Sequence, residues 1–451
     1  MVDSTVMQSG RYKAYPEYKD SGVEWLGDIP SGWEMWKLAH AYESIGSGTT
    51  PPTNDENAFD GDIPWITTGE LREKVILDTS KKVSNRTLKK YSALKKHPAG
   101  SIAIAMYGAT IGRLGILGVE ATTNQACCVL SNSNTLLNKF LFYWLQAFKE
   151  DIVRLSSGGG QPNINQEKVA SLKVSTPSLE EQVKIASFLD YETAKIDTLI
   201  QKQQRLIELL TEKRQAVISH AVTKGLNPDV PMKDLGVEWL GEVPEHWNIT
   251  KIKYIAELTP SKSEALSHLG GKCSFVPMEK LKRDSLILDE TRDVKDVHQG
   301  YTYFRDNDIL LAKVTPCFEN QNIAVAKNLV NGIGFGSSEI FVLRTNNIKL
   351  NYFMFYRLQE NIFMQMGVGA MTGAGGLQRV PTDFINNFQF ALPPLKEAQQ
   401  IVNYLRDQNK RFDILISKAN QQIQLMQERR TALISAAVTG KIDVRDWVKP
   451  E

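Results

Sequence analysis

The strongest candidate for ligand contact in this sequence is a cluster of positive charge within residues 81–97. This stretch, KKVSNRTLKKYSALKKH, contains no aspartate or glutamate. Its basic residues are Lys81, Lys82, Arg86, Lys89, Lys90, Lys95 and Lys96. Such a run suits a surface that faces phosphate groups, which is the interpretation we favour, and a solvated helix face is the alternative. The net charge of +2 favours neither.

No catalytic motif accompanies this charge. The chain has neither GxxxxGK[ST] for nucleotide hydrolysis nor GxGxxG after a strand. Its Pro-Pro pairs, TPPT (50–53) and LPPL (392–395), lack the amide or carboxylate and the aromatic residue of an adenine methyltransferase. The four cysteines and six histidines show no metal-ligand spacing. We therefore expect no catalytic site, metal or cofactor on this chain.

Two glycine-rich loops are further candidates for contact with phosphate. They are SSGGGQPNINQ (156–166) and GAMTGAGGLQR (369–379), and neither has a phosphate-loop or dinucleotide pattern. Glycine allows the backbone to approach a ligand closely, but a turn that needs positive φ explains such loops equally simply. We favour the turn for the loops taken alone.

Length and composition indicate a globular protein of several domains. With 451 residues the chain exceeds one ordinary core, and two to four domains are expected. The hydrophobic fraction is 42% and the charged fraction 23%. No apolar run approaches the ~20 residues that span a bilayer, and the N-terminus lacks the apolar core of a secretory signal. A cytoplasmic protein with reduced thiols is the expectation.

The chain contains an internal repeat. GVEWLGDIPSGW (22–33) returns as GVEWLGEVPEHW (236–247), and we call these segments the first and second strap. Residues 177–223 align without a gap on 393–439, at an offset of 216. The regions between them, the first body (34–176) and the second body (248–392), diverge strongly. Conservation of straps and helices alone implies that they contact a common partner or each other.

The repeated segments after each body predict two long helices. Prolines and first-turn acids mark each start, and Gly225 and Gly440 mark the ends. From Leu179 to Val222 such a helix is ~44 residues, or ~66 Å long. The apolar spacing of 3-4-3-4 indicates a coiled coil, and an antiparallel pair between the two copies is the natural arrangement. The bodies would then lie at opposite ends of a rod.

One apolar seam runs along each predicted helix. The first seam is Ile196, Ile200, Gln203, Ile207, Leu210, Arg214, Val217 and Ala221, and the second is Phe412, Ile416, Ala419, Ile423, Met426, Arg430, Leu433 and Ala437. The arginine in each seam either sets the register, reaches an acidic partner, or extends its charge out to water. Leucines beside the seams (Leu199, Leu206, Leu209, Leu415 and Leu425) either widen the seam or bury against another protein.

The bodies are predicted to be rich in short strands. The runs SIAIAMYG (101–108), LGILGV (114–119) and ACCVL (126–130) lie in the first body, and DILLAKV (308–314) and EIFVLR (339–344) lie in the second. The expected fold class is α+β, with two mixed α/β domains joined by two long antiparallel helices and related by a pseudo-twofold repeat.

The order of these motifs resembles a specificity subunit of a type I DNA restriction-modification enzyme. The resemblance covers nearly the whole chain. It is carried by both straps, by IPWITTGEL (63–71), by YGATIGRLGIL…TNQA (107–126), by PSLEEQVKIASFLD and PPLKEAQQIVNYL, and by TEKRQAVISHAVTKGL and QERRTALISAAVTGKI. The second body departs from the first, because it lacks IPWITTG and has GSSEIF (336–341) where the first has TNQAC (123–127).

The resemblance implies a non-catalytic subunit that reads double-stranded DNA through two target-recognition domains. It implies two modification subunits, which bind S-adenosylmethionine and methylate adenine at N6, and up to two restriction subunits that use ATP and magnesium. No membrane contact is implied. Because the bodies differ, we expect a bipartite and asymmetric target. The rival interpretation is an assembly scaffold that binds no DNA and uses duplicated coiled-coil docking sites.

Side-chain chemistry indicates which residues are candidates for DNA contact. Arg86, Lys89 and Lys90 are expected to contact phosphate. Thr67, Thr68, Gln161, Asn163, Gln378 and Arg379 are candidate base readers, since amides suit adenine and arginine suits guanine. Lys280 and Lys282 are further candidates for DNA contact. Gln161 and Asn163 have loop capping as the alternative role. Ile196, Ile200, Ile207, Leu210, Arg214, Phe412, Ile416, Ile423, Met426 and Arg430 are expected to form the spacer or dock partner subunits.

The expected domain organisation follows the repeat. A tail (1–17) precedes the first recognition domain (18–176) and a spacer helix (177–225), then come the second recognition domain (226–392), a second spacer helix (393–440) and a C-terminal tail (441–451). In each strap two tryptophans and a leucine are expected to act as apolar anchors: Trp25, Leu26 and Trp33, then Trp239, Leu240 and Trp247. The first strap is expected to close onto the C-terminal tail.

Overall fold

The chain folds into two compact units. The computed structural model describes residues 12–52, 55–156, 163–234, 236, 239, 241–373 and 376–450. Unit 1 comprises Met1–Gln203 with Gln421–Glu451, and unit 2 comprises Gln204–Asn420. Among the described residues, no helix is both long and apolar enough to cross a membrane.

Unit 1 contains the first body and mixes short strands with short helices. Its strands are β1 Tyr18–Asp20, β2 Asp28–Pro30, β3 Glu34–Lys37, β4 Ser44–Ser47, β5 Ile63–Ile66, β6 Lys74–Ile76, β7 Lys82–Val83, β8 Ile102–Ala105, β9 Leu114–Leu117, β10 Thr122–Thr123, β11 Cys127–Ser131 and β12 Lys173–Thr176. Its short helices are α1 Leu38–Ala41, α2 Asn85–Lys90, α3 Asn138–Ala147, α4 Lys149–Arg154 and α5 Gln166–Ser171. One sheet has the order β4-β11-β8-β9-β6 and another β10-β5-β7.

The central strands of the first body come from the predicted apolar runs. SIAIAMYG, LGILGV and ACCVL form β8, β9 and β11, which pair within one sheet and are largely buried. The helix α3 adds a run of buried side chains from Phe140 to Leu145. These side chains and those of Ile102 and Ile104 in β8 share one hydrophobic core with Trp33 of the first strap. The burial of apolar area in this core is the main force that holds unit 1 together.

Unit 2 contains the second body. After a first long helix, α6 Leu179–Lys224, its strands are β13 Met232–Asp234, β14 Glu242–Pro244, β15 Asn248–Lys251, β16 Ala256–Leu258, β17 Lys272–Val276, β18 Leu281–Lys282, β19 Ser285–Leu286, β20 Thr291–Asp293, β21 Thr302–Arg305, β22 Ile309–Ala312, β23 Ile323–Val325, β24 Ile333–Gly336, β25 Ile340–Thr345 and β26 Gln389–Leu392. Its short helices are α7 Ile252–Ile255, α8 Val294–Val297, α9 Asn351–Arg357, α10 Asn361–Gly369 and α11 Thr382–Asn387, and the long α12 Leu395–Val438 follows.

The second body repeats the strand pairing of the first despite its different sequence. The pair β17 and β24 is parallel, as is the pair β5 and β10. The pair β22 and β25 is antiparallel, as is the pair β8 and β11. The pairs β15–β26 and β3–β12 each join the first strand of a body to its last. The two mixed α/β bodies are therefore copies of one fold, although the second lacks the IPWITTG motif.

The two long helices begin and end where the sequence predicts. The helix α6 has 46 residues and α12 has 44. Gly225 and Gly440 follow their ends with φ of 77° and 71°, a conformation that glycine adopts without a steric penalty. Every predicted seam position is buried or half-buried, and all positions between them in 200–214 and 412–430 are exposed. The flanking leucines are exposed too, so in this chain they do not widen the seam.

Candidate nucleic-acid interface

The basic run forms the short helix α2 and the loops around it. The Ser84 side chain caps this helix by accepting a hydrogen bond from the Thr87 backbone N–H at 3.2 Å. Arg86, Lys89 and Lys90, the three predicted phosphate contacts, are all exposed on it. The Lys90 ammonium lies 3.9 Å from an Asp55 carboxylate oxygen. Among the described residues, Arg86 and Lys89 have no acidic partner, so their charge is available to a ligand.

Other lysines of the run have acidic partners from outside it. The Lys82 ammonium lies 2.9 Å from Asp78, and that of Lys96 lies 2.8 Å from Glu120. The sequence run contains no acid, yet the fold supplies them from neighbouring turns. The charges of Lys82 and Lys96 are therefore partly balanced within the chain, whereas Arg86 and Lys89 of α2 have no acidic partner among the described residues.

The predicted readers Thr67 and Thr68 lie in the turn after β5 and are half-buried. The Thr67 backbone N–H and hydroxyl both donate to the Glu70 carboxylate, at 2.6 and 3.1 Å. Ser80 also donates to Glu70 through its backbone N–H and its hydroxyl. Glu70 thus closes this turn, and the Thr67 hydroxyl is already used within the chain.

Asn163 and Arg379 occupy equivalent positions in the two bodies. Each lies just before α5 or α11 and forms an isolated β-bridge, Asn163 with Tyr107 and Arg379 with Val314. The Asn163 side-chain oxygen is buried and accepts no hydrogen bond from the described residues. Gln161, the other predicted reader in that loop, lies outside the described residues. One position of the fold therefore carries an amide in the first body and a guanidinium in the second.

Arg379 is held by the carboxylate of Glu339, which is not among the residues predicted from the sequence. Its Nε and one terminal nitrogen donate to the two oxygens of Glu339, both at 2.9 Å, and these bonds lower the pKa of Glu339. An arginine has five N–H donors, so the remaining donors of the half-exposed guanidinium stay available. Gln378 is exposed, and its backbone N–H donates to the Thr315 hydroxyl at 3.0 Å. Glu339 lies in GSSEIF, the segment where the second body departs from TNQAC of the first.

The two predicted lysines of the second body differ. Lys280 lies 2.6 Å from Asp289 and 2.8 Å from Glu290, and hydrogen bonds to these two carboxylates raise its pKa. Its charge is therefore balanced within the chain. Lys282 in β18 is exposed. Of the two, Lys282 is the better placed for contact with an anion.

The seam arginines both reach aspartates on the long helices. In unit 1, Arg430 donates to both carboxylate oxygens of Asp197, at 2.9 and 3.3 Å. In unit 2, Arg214 donates to Asp413 at 2.8 Å. In the repeat Asp197 corresponds to Asp413 and Arg214 to Arg430, so each arginine binds the aspartate of the other copy. Each seam arginine thus forms an ion pair with an aspartate of the other long helix.

The last tryptophan of each strap lies between the start of one long helix and the end of the other. The Trp33 indole N–H donates to Glu181 at 3.0 Å, and that of Trp247 donates to Glu397 at 3.2 Å. A Cβ atom on Gly440 would lie 3.3 Å from the Trp33 ring, and one on Gly225 would lie 3.4 Å from the Trp247 ring.

The other strap anchors differ between the copies. Trp25 packs on Trp144 and Phe148, and Leu26 is buried. Trp239 is 39% exposed, so the anchoring predicted for it is wrong, and Leu240 lies outside the described residues. The feature common to both straps is therefore the buried tryptophan at the end of each one, Trp33 in the first and Trp247 in the second.

Residues that precede the first strap contact the end of α12 and the C-terminal tail within unit 1, and Trp33 of the strap shares a hydrophobic core with Ile442 and Val444 of the tail. The Tyr18 hydroxyl donates to the Gly440 carbonyl at 2.9 Å, and the Asp443 backbone N–H donates to the Lys13 carbonyl at 2.7 Å. Trp447 of the tail packs against Phe188 and Tyr191 of α6. These contacts join the beginning of the described chain to its end.

The described residues contain no cluster of His, Cys, Asp or Glu that could hold a metal ion. The two bodies instead present basic and polar side chains that can bind a ligand. The first body presents free basic side chains on α2, and both bodies place a polar side chain at the end of a glycine-rich loop. These are groups that contact phosphates and base edges.

Comparison with known proteins gives consistent results. A family model described as the type I restriction modification DNA specificity domain matches the chain twice, over residues 30–209 and 244–425. The type I restriction enzyme MjaIX specificity subunit of Methanocaldococcus jannaschii is 29% identical over 450 residues, which cover 97% of this chain and 99% of that protein.

Two relatives from Escherichia coli match over shorter segments. The type I restriction enzyme EcoAI specificity subunit is 37% identical over 164 residues, which cover 36% of this chain and 28% of that protein. The EcoEI specificity subunit is 34% identical over 191 residues, which cover 40% of this chain and 32% of that protein. The chain thus spans less than a third of the length of these two relatives.

Solved structures share the fold at low identity. A chain from work on complex assembly and conformational transition of the type I R-M system has a TM-score of 0.65 and 15% identity, covering 92% of this chain and 99% of that one. The HsdS subunit from Thermoanaerobacter tengcongensis has a TM-score of 0.52 and 15% identity, covering 92% of this chain and 98% of that one.

Proposed function

The chain belongs to the type I restriction-modification DNA specificity family, and we propose from this membership that it selects the DNA target of such a complex. In this proposal each body reads one half-site of a bipartite sequence, and the chain itself performs no catalysis. The proposal is carried by one observation. The two bodies have the same fold, but equivalent positions carry different polar side chains, Asn163 in the first body and Arg379 in the second.

This difference supports an asymmetric target. An amide makes paired hydrogen bonds to adenine, and a guanidinium makes them to guanine. Two readers with different chemistry at the same place select different half-sites. A palindromic target would need two bodies with the same reading surface.

The long helices are proposed to fix the separation of the half-sites as an antiparallel pair. Asp197 precedes Arg214 by 17 residues in α6, and Asp413 precedes Arg430 by 17 residues in α12. Each arginine binds the aspartate of the other copy, which is the reciprocal pattern of a twofold interface. Dimer geometry sets half-site spacing in the same way in other DNA readers.

The partners proposed are the subunits that do the chemistry. The exposed leucines of α6 and α12 (Leu199, Leu206, Leu209, Leu415 and Leu425) offer an apolar surface to two modification subunits, which would bind S-adenosylmethionine. Up to two restriction subunits, with ATP and magnesium, complete the proposed complex. No cofactor is proposed on this chain.

Methylome sequencing tests the proposed function directly. We expect a host that expresses this chain with its modification subunit to carry N6-methyladenine in one bipartite, asymmetric sequence with a gap of fixed length. Omitting this chain is the control and should abolish the methylation. A palindromic target, or methylation that ignores this chain, would contradict the proposal, and the latter result would favour the scaffold interpretation.

Neutralising the free charges of α2 should change the salt dependence of DNA binding. For Arg86→Gln combined with Lys89→Gln, the slope of log K against log salt concentration is expected to fall by about 2, roughly one for each lost phosphate contact. Fluorescence anisotropy of the assembled complex at several salt concentrations measures the slope. Lys96→Gln is the matched control, since Glu120 already balances Lys96, and it should leave the slope nearly unchanged. Equal effects of both variants would show that α2 does not face DNA.

A further inference from the structure

Arg214 joins three separate segments of unit 2. Its Nε donates to the Asn409 side chain at 3.1 Å and one terminal nitrogen donates to Asp413 at 2.8 Å. Its other terminal nitrogen donates to Asp284 at 3.2 Å. Asn409 and Asp413 belong to α12, whereas Asp284 belongs to the second body. One guanidinium on α6 therefore holds both a neighbouring helix and a recognition domain.

The segment of the second body that Arg214 holds is the tight hairpin β18–β19. Asp284 has φ of 59° at its turn, and its backbone N–H donates to the Ile323 carbonyl of β23 at 2.8 Å. The adjacent Arg283 donates to the Gln215 side chain at 2.9 Å. Two neighbouring hairpin residues thus contact two neighbouring residues of α6. Such a double contact restricts rotation of the hairpin on the helix.

The first body has the same turn but a different contact. Glu73 has φ of 52°, and its backbone N–H donates to the Leu114 carbonyl of β9 at 2.8 Å. Its carboxylate, however, lies 3.1 Å from Lys149 of α4, inside the same body. Among the described residues, Arg430, the counterpart of Arg214, forms an ion pair with Asp197 alone. The repeat therefore places an acid at the same turn twice, but only the second acid reaches a long helix.

Burial strengthens this contact. The Arg214 side chain is 15% exposed and that of Asp284 is 30% exposed, so solvent and salt screen the pair less than a surface ion pair. Burial raises the pKa of Asp284, and the charge of Arg214 opposes that rise. A charged hydrogen bond in such surroundings is stronger than a neutral one.

We propose that the contact of Arg214 with Asp284 positions the second body on the helix pair, so that its half-site is read at a single gap length. Arg214 and Asp284 are positioning residues in this proposal and need not contact DNA. The proposal rests on the proposed function and adds a positioning contact to it. The second body is held by an ion pair between its β18–β19 hairpin and α6, whereas the first body is paired with α6 from α3, through Lys139 and Asp190.

Gap-length discrimination of the assembled complex tests the proposal. Duplexes would carry the target found by methylome sequencing, or the same half-sites with the gap changed by one base pair, about 3.4 Å along the axis. We expect Asp284→Asn and Arg214→Gln to reduce the wild-type preference for the correct gap roughly tenfold, the size of a lost charged contact. The matched control is Glu73→Gln, which removes an acid at a positive-φ turn of the first body that pairs with Lys149 and not with a long helix. It should keep the preference of the wild type.

A second measurement without DNA completes the test. In the free full-length chain, Asp284→Asn should speed amide hydrogen exchange in the hairpin 281–286, while Glu73→Gln leaves that hairpin unchanged. If wild type binds all gap lengths equally, the fixed spacing in the proposed function is wrong. If wild type discriminates and Asp284→Asn discriminates equally well, the positioning role is wrong and the proposed function stands. Unchanged exchange in the hairpin would also overturn the role.

Discussion

Replacing Trp33 with alanine is expected to lower the free energy of unfolding of unit 1 by about 3–5 kcal/mol. The indole is almost completely buried and packs edge-on against Tyr15 and Phe140, with ring centroids 5.8 and 6.4 Å away. Its N–H also donates to Glu181, so its removal leaves both a cavity and a carboxylate that has lost a donor. Hydrogen exchange of unit 1 amides in increasing urea measures the loss.

The repeat supplies the controls for this prediction. Trp247→Ala should have an effect of similar size on unit 2, because Trp247 is equally buried and donates to Glu397. Trp239→Ala should change stability by less than about 0.5 kcal/mol, since Trp239 lies at the surface. Trp33→Phe keeps most of the packing and removes the hydrogen bond, so it should cost about 1–2 kcal/mol. A small effect of Trp33→Ala would show that the first strap is not an anchor.

The sequence predicts the regular elements because their causes are local. The helix bounds of α6 and α12 follow from proline, first-turn acids and a terminal glycine, and the seam follows from the 3-4 spacing. The apolar runs that form β8, β9 and β11 are likewise visible in short windows. Such features need no knowledge of distant residues.

Whether a charged side chain is free or balanced by an ion pair depends on residues that are distant in the sequence. Lys96 is balanced by Glu120 and Arg379 by Glu339, partners that are 24 and 40 residues away in the chain. A basic run therefore overstates the free charge of its surface, because the fold brings acids to it. The repeat offers the one exception. Asp197 and Asp413 recur at equivalent positions, as do the two seam arginines, and that recurrence is a signal for their pairing.

Two ion pairs with the same sequence spacing differ in burial, and we expect this difference to determine how much each contributes to stability. Arg357 and Glu360 form an ion pair at i,i+3 spacing with an N–O distance of 2.7 Å, and their side chains are 4% and 2% exposed. Arg205 and Glu208 form a pair of the same types, spacing and distance, but they are 59% and 60% exposed. Both pairs are an arginine followed by a glutamate three residues later, so the local sequence does not distinguish the buried pair from the exposed one.

Glu360→Gln is expected to destabilise unit 2 by about 3–5 kcal/mol, because it leaves a buried guanidinium without its counter-ion. Burial already lowers the pKa of Arg357, and Glu360 also caps α10 by accepting from the Ile362 and Phe363 backbone N–H groups. Glu208→Gln is the control, and its unfolding midpoint in urea should equal that of wild type. The double variant Arg357→Met with Glu360→Gln should regain much of the loss, since it removes the unpaired charge as well. Equal midpoints for Glu360→Gln and Glu208→Gln would mean that water reaches the Arg357 site, because only solvent exposure makes an unpaired charge inexpensive.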